Sequence, residues 1–489
     1  MEQLNRSMII QGKENFLNGK EIGFQNTKME ERVLQFGEGN FLRAFIDSFI
    51  DMLNEKGLFN GSIVVVQPIE KGLIDALNAQ DGCYTVLLRG LENQVPTIKK
   101  RIVKSISRGI NPYTDFDSYL ENAKNPNLRY IISNTTEAGI TFLNTDKLDD
   151  KPPTGFPGKV TVLLYERYKH FNADSSKGFI FIPCELIDNN GAKLKETVLL
   201  YAEKWGLPKE FIEWIHTANH FTSTLVDRIV TGYPRDEAET LSKELGYKDN
   251  LIVTAEIFQF LAIEAEKEVS AEISENLPFH KANLDVVLTE DVTPYKQRKV
   301  RILNGAHTMS VLLAYLYGKE TVKEMMDDEY FVDYLKKGIY EEIIPTLDLN
   351  KEDLESFADS VFDRFANPYI KHYLLDISLN SVSKYKTRVL PSILEYHKRT
   401  GNLPEKLTMS FAALIAFYKG GSHKVADDEE IVTFFKEQWE KYGMSQMDQL
   451  VQNICARKDY WGQDLNELPG FSQKIAEYLK KILERRAEA

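Results

Sequence analysis

Three side chains of the kind that move protons stand close together in the segment KVRILNGAHT, residues 299–308: Lys299, Asn304 and His307. If this segment is α-helical, the three project within one arc of about 140°. Oxidation of a secondary alcohol by hydride transfer needs a base for the hydroxyl proton and donors for the alkoxide-like oxygen. A lysine can be that base where burial and neighbouring cations lower its pKa. A basic helix start with an asparagine cap and a core histidine explains the same spacing, so both interpretations stay open.

A glycine-containing turn, VLQFGEGNFLRAFID, joins a predicted first strand to a helix and carries Gly37 and Gly39. The diphosphate of a dinucleotide needs one glycine for the tight turn, a second for close backbone approach, and the free N–H groups of a helix start. Leu42 replaces the third glycine of G-x-G-x-x-G, so a plain strand–helix turn is the alternative. The residues expected to border a dinucleotide here are Phe36, Gly37, Gly39, Asn40 and Phe41.

The residue that would bind the adenosine ribose is less clear from the pattern. An acidic side chain is expected at the end of the second strand, but the strand SIVVV ends in Gln67 and Pro68. Glu70 follows shortly and could bind the ribose, or Gln67 could do so without a charge. No arginine stands there to favour a 2′-phosphate.

Elements that could position these residues follow from the hydrophobic pattern. The chain from residue 32 to residue 143 alternates apolar strands with amphipathic segments, which is typical of βαβ units. The predicted strands are 32–36, 62–66, 84–88, 130–133, 179–183 and 284–288, with helices at 41–54 and 159–165. From about residue 196 to 260 we expect helices alternating with loops. Further helices are predicted at 299–317, 321–339, 351–365, 389–400, 404–418, 427–441, 444–454 and 470–486.

These patterns predict an α/β N-terminal domain, residues 1–286, followed by a mostly α-helical C-terminal domain, residues 287–489. The net charge of −13 argues against nucleic acid or an anionic membrane as the main partner, and an anionic substrate would need a local basic pocket. The three cysteines form no C-x-x-C pair, so neither a disulfide framework nor a structural zinc site is indicated. Without a signal peptide or membrane span in the sequence, we expect a cytoplasmic protein. The sequence carries no signal for one oligomeric state over another.

Three motifs, in order, resemble signatures of the long-chain mannitol dehydrogenase family. They are GEGNFLRA at 37–44 for G-x-G-x-F-x-R-A, VDRI at 226–229 for V-D-R-I, and Lys299, Asn304 and His307 for K-x-x-x-x-N-G-x-H. The resemblance runs from about residue 30 to the C-terminal helices. It implies a Rossmann-like N-terminal domain, a helical C-terminal domain, an active site in the cleft between them, NAD as cofactor and no metal.

The resemblance also implies roles for single residues. Lys299 would be the general acid/base, Asn304 a donor to the reacting oxygen, and His307 a contact to a substrate hydroxyl. The residues that would lie beside the nicotinamide are Val226 and Asp227, with Thr135, Thr136 and Glu137 of a strand-end loop.

Departures from the family pattern indicate a subgroup. Polyol-oxidising members carry C-D-N, and the asparagine helps to stabilise the substrate oxygen; this chain has Leu186 there, so Asn190 or a neighbour would have to substitute. The segments 183–191 and 225–237 are more similar to members that reduce the keto-uronate tagaturonate than to those acting on mannitol, arabinitol or fructuronate. We therefore expect NADH-dependent reduction of a keto-uronate, reversible to oxidation of the aldonate, in hexuronate breakdown. The alternatives within the family are a fructuronate reductase and a polyol dehydrogenase.

Basic residues in SVSKYKTRVLP, residues 381–391, could bind the carboxylate of such a substrate. Where sugar-alcohol enzymes of the family place an arginine and a lysine near a proline, this chain has Lys384, Lys386 and Arg388. An arginine can bind a carboxylate through two parallel hydrogen bonds. A solvated basic loop is the alternative, in which case Arg301 is a further candidate for the carboxylate.

Other patterns carry less chemistry. The run HKVADDEE at 423–430 is interpreted as a loop and an acidic helix start rather than a metal cluster. His216 and His220 lack the glutamate of H-E-x-x-H. A catalytically silent nucleotide-binding protein is the alternative from a different functional class, and the presence of Lys299, Asn304 and His307 argues against it.

Overall fold

The computed structural model describes residues 1–10, 29–92, 94–136, 138–421 and 423–488. They divide into two compact units. The first comprises Met1–Arg89 and Thr97–Val292, and the second comprises Gly90–Pro96 and Thr293–Ala489. In the described part of the chain, no helix combines the length and the apolar character that crossing a membrane requires.

The strands of the described residues have two to nine residues each. In chain order they are β1 (Glu30–Phe36), β2 (Gly61–Val66), β3 (Tyr84–Glu92), β4 (Val95–Val103), β5 (Ile106–Ile110), β6 (Tyr130–Ser133), β7 (Ile180–Pro183), β8 (His220–Phe221), β9 (Ser223–Asp227), β10 (Val230–Gly232), β11 (Val253–Glu256), β12 (Phe260–Glu264) and β13 (Val286–Thr289). The strands predicted from the sequence are confirmed, with ends shifted by a few residues.

The main sheet is parallel and has the order β5-β2-β1-β6-β7-β8. This is the order of a doubly wound dinucleotide-binding sheet, in which the connections change direction between β1 and β6. Ligands of such sheets bind beyond the carboxyl ends of the strands at that switch point. The switch point here lies after Phe36 and Ser133, which are register partners at the ends of β1 and β6.

Both faces of the main sheet are buried, which is why its strands read as continuous apolar runs. Along β2, Ile63 and Val65 face one hydrophobic core, whereas Val64 and Val66 face another. Two smaller sheets complete the unit, with the orders β10-β11-β3-β4 and β13-β12-β9.

The helices of the first unit flank these sheets. They are α1 (Arg6–Ile10), α2 (Asn40–Ala44), α3 (Ile46–Glu55), α4 (Ile74–Ala79), α5 (Phe116–Glu121), α6 (Phe156–His170), α7 (Asn190–Lys204), α8 (Lys209–Ala218), α9 (Ala238–Leu245) and α10 (Lys267–Asn276). Short 3₁₀ turns lie at Asn122–Lys124, Ser175–Lys177 and Phe279–Ala282. The predicted helices at 41–54 and 159–165 are confirmed, although the first is divided at Phe45, whose φ of −121° and ψ of −94° leave the helical region.

The second unit is helical apart from the segment Gly90–Pro96, which includes the end of β3 and the start of β4. Its helices are α11 (Thr293–Arg298), α12 (Gly305–Leu316), α13 (Val322–Met326), α14 (Glu329–Lys336), α15 (Lys351–Phe365), α16 (Leu374–Ile377), α17 (Ser381–Arg388), α18 (Leu390–Thr400), α19 (Glu405–Phe417), α20 (Glu429–Tyr442), α21 (Met447–Cys455), α22 (Lys458–Trp461) and α23 (Phe471–Glu488). Two π-helical segments, Lys299–Asn304 and Lys337–Ile343, and 3₁₀ turns at Ile344–Thr346 and Leu465–Glu467 connect them. Helix α19 is buried around nearly its whole circumference, as expected of the central helix of a core.

Three sequence-based expectations were wrong. The region 196–260 holds strands as well as helices and loops, because β8 to β11 have two to five residues and are too short to show a period. The predicted helix 321–339 is divided, since the Asp328 side chain caps α14 by accepting from the N–H of Tyr330. The basic segment 381–388 is a helix and not a loop; Val382 and Tyr385, three residues apart, form its buried face.

Candidate active site

Gly37 lies at the switch point of the main sheet, directly after β1. Its φ of +115° favours glycine, and a Cβ atom there would lie 2.8 Å from the carbonyl oxygen of Asn134, in the loop after β6. Its N–H donates to the carbonyl oxygen of Val66 at 3.1 Å. The turn is thereby closed by the two strands that neighbour β1.

Gly39, at the start of α2, differs from Gly37 in both respects. Its φ of −67° is open to any residue, and a Cβ atom there would meet nothing within 4 Å. This open approach to exposed backbone at a helix start is what a dinucleotide diphosphate requires, so the turn fits that group. Leu42, in place of the third glycine, is buried with its Cδ1 3.6 Å from the Cβ position of Gly37.

Arg43 holds the turn from within the protein. Its Nε donates to the carbonyl oxygen of Glu38 at 3.0 Å, and its Nη2 donates to Oδ1 of Asn40 at 2.7 Å. Its Nη1 donates to the carbonyl oxygen of Leu251, and its guanidinium lies 5.2 Å from the ring centre of Tyr84. Arg43 therefore donates its hydrogen bonds to groups of the protein and stabilises the turn.

Arg228, of the VDRI motif, has a similar structural position. It is buried, and burial lowers its pKa to about 10 although Glu256 opposes the shift. Its Nη1 donates at 2.6 Å to the carbonyl oxygen of Ala44, at the end of α2, and its Nε donates to that of Phe258 at 3.0 Å. The two motif arginines thus hold the two ends of the short helix α2.

A buried polar network lies beneath the turn. Nε2 of Gln35 donates to the carbonyl oxygen of Gly37 at 3.0 Å and to Oδ2 of Asp47 at 3.3 Å. The hydroxyl of Tyr84 donates to the same Oδ2 at 3.2 Å. Burial raises the pKa of Asp47 to about 7, against the lowering effect of these hydrogen bonds and of Arg43. Sequence reasoning missed this network; its signal was the polar Gln35 between the apolar residues Leu34 and Phe36.

The loop after β2, where the ribose is expected, is held by side chains from both sides. Nε2 of Gln67 donates to the carbonyl oxygens of Ile69 and Glu70, each at 2.9 Å. Oε1 of Glu38 accepts from the N–H of Leu73 at 3.2 Å, and burial raises the pKa of Glu38. The amide group of Gln67 is thus committed to its own loop, whereas the side chain of Glu70 is exposed. Glu38, which joins the loop to the glycine turn, was not singled out from the sequence.

The loop after β6 is ordered by Glu185, which follows β7. Its Oε1 accepts from both the N–H and the hydroxyl of Thr135 at 3.0 Å, and its Oε2 accepts from the hydroxyl of Ser133 at 3.0 Å. Thr136 is exposed with a φ of 77°. Glu137 lies outside the described residues. Val226 and Asp227 end β9 and are buried.

Asn190 does not provide the donor that we expected in place of an asparagine at Leu186. Its Nδ2 donates to the carbonyl oxygens of Pro183 and Glu185, each at 3.0 Å, and its Oδ1 accepts from the N–H of Thr224 at 2.9 Å. The side chain is buried, so the amide ties β7 to β9. Leu186 is 64% exposed.

In the second unit, the candidate catalytic residues lie on a helix with a wide turn. Lys299 to Asn304 are π-helical, and α12 begins at Gly305. The expectation of a regular α-helix over 299–317 is therefore wrong for the first six residues, and the 140° arc does not apply to them. The asparagine-cap alternative is not supported, because the side chain of Asn304 makes no capping hydrogen bond. π-Helical turns are rare and occur frequently at functional sites.

His307, in the first turn of α12, has an aromatic and cationic environment. Its ring stacks on Phe365 at a centroid distance of 4.1 Å and meets the edge of His372 at 5.4 Å. Burial, together with His372 and the cations Arg364, Arg388 and Lys384, lowers its pKa well below the usual range. A neutral imidazole can both donate and accept a hydrogen bond. The sequence had not indicated the contributions of Arg364, Phe365 and His372.

The basic residues of α17 do not share one environment. Nζ of Lys384 donates to the carbonyl oxygen of Ile377 at 2.9 Å, whereas Nζ of Lys386 donates to that of Asp459, in α22, at 3.3 Å. The charges of Lys384 and Arg388 both lower the pKa of His307. Arg301 points to α18, where its Nη1 donates to the hydroxyl of Ser392 at 3.0 Å. Among the described residues, no group of three or more His, Cys, Asp or Glu is arranged to hold a metal ion.

Comparison with known proteins places both units in one family. Residues 31–275 match the mannitol dehydrogenase Rossmann domain, and residues 291–483 match the mannitol dehydrogenase C-terminal domain. Altronate oxidoreductases from Escherichia coli O6:K15:H31 (strain 536 / UPEC) and Shigella flexneri are each 47% identical to this chain over 469 residues, covering 94% of this chain and 96% of theirs.

Solved structures show the same fold. A D-sorbitol dehydrogenase in substrate-free form has a TM-score of 0.76 at 21% identity, covering 94% of both chains. Mannitol 2-dehydrogenase from Pseudomonas fluorescens, in a ternary complex with NAD and D-mannitol, has a TM-score of 0.65 at 21% identity, covering 99% of both chains.

Proposed function

Since the chain belongs to the mannitol dehydrogenase family, we propose that it is an altronate oxidoreductase that interconverts D-altronate and D-tagaturonate with NAD(H) in hexuronate breakdown. The observation that carries this proposal is the 47% identity to altronate oxidoreductases over 94% of the chain. The Rossmann order of the main sheet and the open backbone at Gly39 support the nicotinamide cofactor.

In the proposed reduction, the bound cofactor supplies a hydride to the keto carbon. The protein must then deliver a proton to the developing alkoxide and hold that oxygen in place. Lys299 donates the proton in this direction and accepts it in the reverse oxidation. The amide of Asn304 donates a hydrogen bond to the same oxygen, and His307 contacts a neighbouring hydroxyl.

The availability of two of these side chains, Asn304 and His307, supports the assignment. In the described part of the second unit, neither the amide of Asn304 nor the ring nitrogens of His307 form a hydrogen bond with protein, and both residues are half-buried. Polar groups at partly buried positions without protein partners are suited to bind a polyhydroxylated substrate.

The test is oxidation of NADH against a panel of tagaturonate, fructuronate, fructose and xylulose. We expect tagaturonate to have the highest kcat/KM. A preference for fructuronate or for the neutral ketoses would replace the proposal with one of the other activities of the family. Tight NADH binding with no turnover of any of the four would indicate a catalytically silent nucleotide-binding protein.

A further inference from the structure

Two cations stand on the same face of α17. Lys384 and Arg388 are four residues apart and therefore neighbours on the helix surface, where like charges destabilise a helix. Burial and the charge of Arg388 lower the pKa of Lys384. Asp427 opposes this effect, but its carboxylate already accepts hydrogen bonds from the N–H of Val382 and the hydroxyl of Tyr418. The repulsion within the pair thus persists in the folded protein.

Arg388 has donors that the protein does not use. Its side chain is half-buried, and burial lowers its pKa. Within the described ranges of the chain, its guanidinium forms no hydrogen bond and no ion pair. A guanidinium carries five N–H donors in a planar fork, and partly removing such a group from water without a partner is costly.

Further groups surround the same place. Arg364 of α15 is buried, and His372 lies between α15 and α16. The ring of His307 stacks on Phe365, the neighbour of Arg364, at a centroid distance of 4.1 Å, and meets the ring of His372 at 5.4 Å. The carbonyl oxygen of Arg388 lies 3.3 Å from the Cβ position of Gly305, two residues before His307. The charges of Arg364, Lys384 and Arg388 accordingly help to lower the pKa of His307. The cations therefore come from separate elements that the fold brings to one candidate catalytic residue.

We infer that Arg364, His372, Lys384 and Arg388, which we call the cationic cluster, form a carboxylate-binding site beside His307, with Arg388 as its anchor. The planar guanidinium can hold both oxygens of a carboxylate, and the negative charge relieves the repulsion between Arg388 and Lys384. Lys386, on the side of α17 that faces Asp459, lies outside the cluster. The identity of the ligand as altronate or tagaturonate rests on the proposed function; the binding of a hexonate carboxylate does not.

The experiment compares ligands that differ only in charge. Binding of D-altronate and of the neutral D-altritol is measured by titration calorimetry with NAD present, and kcat/KM is measured for tagaturonate and for a neutral ketose. The variants are Arg388→Met, Lys386→Met on the same helix, and Lys398→Met as an exposed control for net charge. We expect Arg388→Met to weaken altronate binding and tagaturonate turnover roughly ten- to a hundredfold, as for loss of a charge-assisted hydrogen bond, with little effect on the neutral ligands.

The outcomes separate this inference from the proposed function. If Arg388→Met weakens charged and neutral ligands equally, or weakens altronate no more than Lys386→Met does, the cationic cluster is not a carboxylate site. If the wild type binds hexonates through Arg388 but does not reduce tagaturonate, the site stands and the proposed function fails. Should Arg388→Met not fold, Arg388→Lys and Lys384→Met take its place, and undiminished selectivity for altronate over altritol in both would overturn the inference.

Discussion

Lys299 begins the π-helical turn that precedes α12, and the proposed chemistry depends on its amine. We predict that Lys299→Ala leaves the dissociation constant of NADH near the wild-type value while kcat falls by ~10²–10⁴-fold, the usual contribution of a general acid–base group. The reason is that, in the proposed reaction, the amine of Lys299 meets the reacting oxygen and not the dinucleotide. Fluorescence titration with NADH and steady-state turnover of tagaturonate measure the two effects.

The control for this variant is Lys323→Ala, at a half-buried lysine of α13 that pairs with Asp327. It should change neither NADH binding nor turnover. If Lys299→Ala turns over tagaturonate at the wild-type rate across the pH range, Lys299 is not the acid.

Asp47 makes stability depend on pH in an unusual direction. In the folded state it keeps its proton up to about pH 7, whereas in the unfolded chain it loses it near pH 4. The folded state therefore binds more protons between these values, and the free energy of unfolding falls as the pH rises through the interval. Asp47→Asn removes this dependence, so from pH 5 to pH 8 the wild type should lose roughly 2–3 kcal/mol relative to the variant.

Urea unfolding of both proteins at pH 5 and pH 8 gives this difference. Asp75→Asn, at an exposed carboxylate of α4, serves as the control for the loss of one carboxylate. A constant difference between wild type and Asp47→Asn would show that Asp47 titrates alike in the folded and unfolded states.

At the scale of elements, the turn from β1 to α2 holds two glycines with different roles: Gly37 is required by the backbone, and Gly39 is proposed to border the diphosphate. A side chain at Gly37 would be strained by the positive φ and would meet the carbonyl oxygen of Asn134, whereas one at Gly39 would project into open space. The same turn is braced from below by Arg43 and Arg228, which satisfy carbonyl groups at both ends of α2. The backbone of the turn is thus held in place by arginine side chains that contact carbonyl groups of the protein.

We predict that Gly39→Val folds with wild-type stability but binds NADH roughly ten- to a hundredfold more weakly, because the side chain blocks backbone hydrogen bonds to the diphosphate. Gly39→Ala should have a smaller effect in the same direction. Gly37→Val should instead lower the melting temperature. Thermal unfolding and NADH titration of the three variants test this, and normal NADH affinity in Gly39→Val would show that the diphosphate binds elsewhere.

Across the whole molecule, charge is distributed unevenly. The net charge is −13, yet α15 and α17 contribute Arg364, Lys384 and Arg388 to one place. An anionic substrate would be repelled by most of the surface and attracted locally. Selectivity for a carboxylate would therefore reside in a few side chains of the second unit.

The reactivity of the three cysteine thiols can be used to measure global unfolding. Cys83, Cys184 and Cys455 are free and buried, and burial raises the pKa of each thiol, that of Cys83 to about 12. Because the thiolate is the reactive form, we predict that none reacts with a chromogenic disulfide at pH 8 in the native protein and that all three react in guanidinium chloride. A thiol that reacts at once under native conditions would indicate local opening around that residue.

Much of the architecture could be predicted from local pattern. The apolar runs of β2 and β6 and the amphipathic repeat of α15 are visible in the sequence alone, and the structure confirms these elements. The motifs around Gly37, Val226 and Lys299 placed the chain in its family, because short sequence signatures persist where a backbone must approach a ligand or a side chain must act on one.

The contacts of the polar and charged side chains, in contrast, were decided by the tertiary structure. Only the folded chain shows that Arg43 and Arg228 point inward, that Asn190 is committed to carbonyl groups, and that Lys386 faces away from Lys384 and Arg388. These facts depend on contacts between residues far apart in sequence, whereas hydrophobic periodicity is a local property. The widened turn at Lys299 is likewise invisible to a 3.6-residue period, and the burial that shifts Asp47 and His307 exists only once distant elements have packed around them.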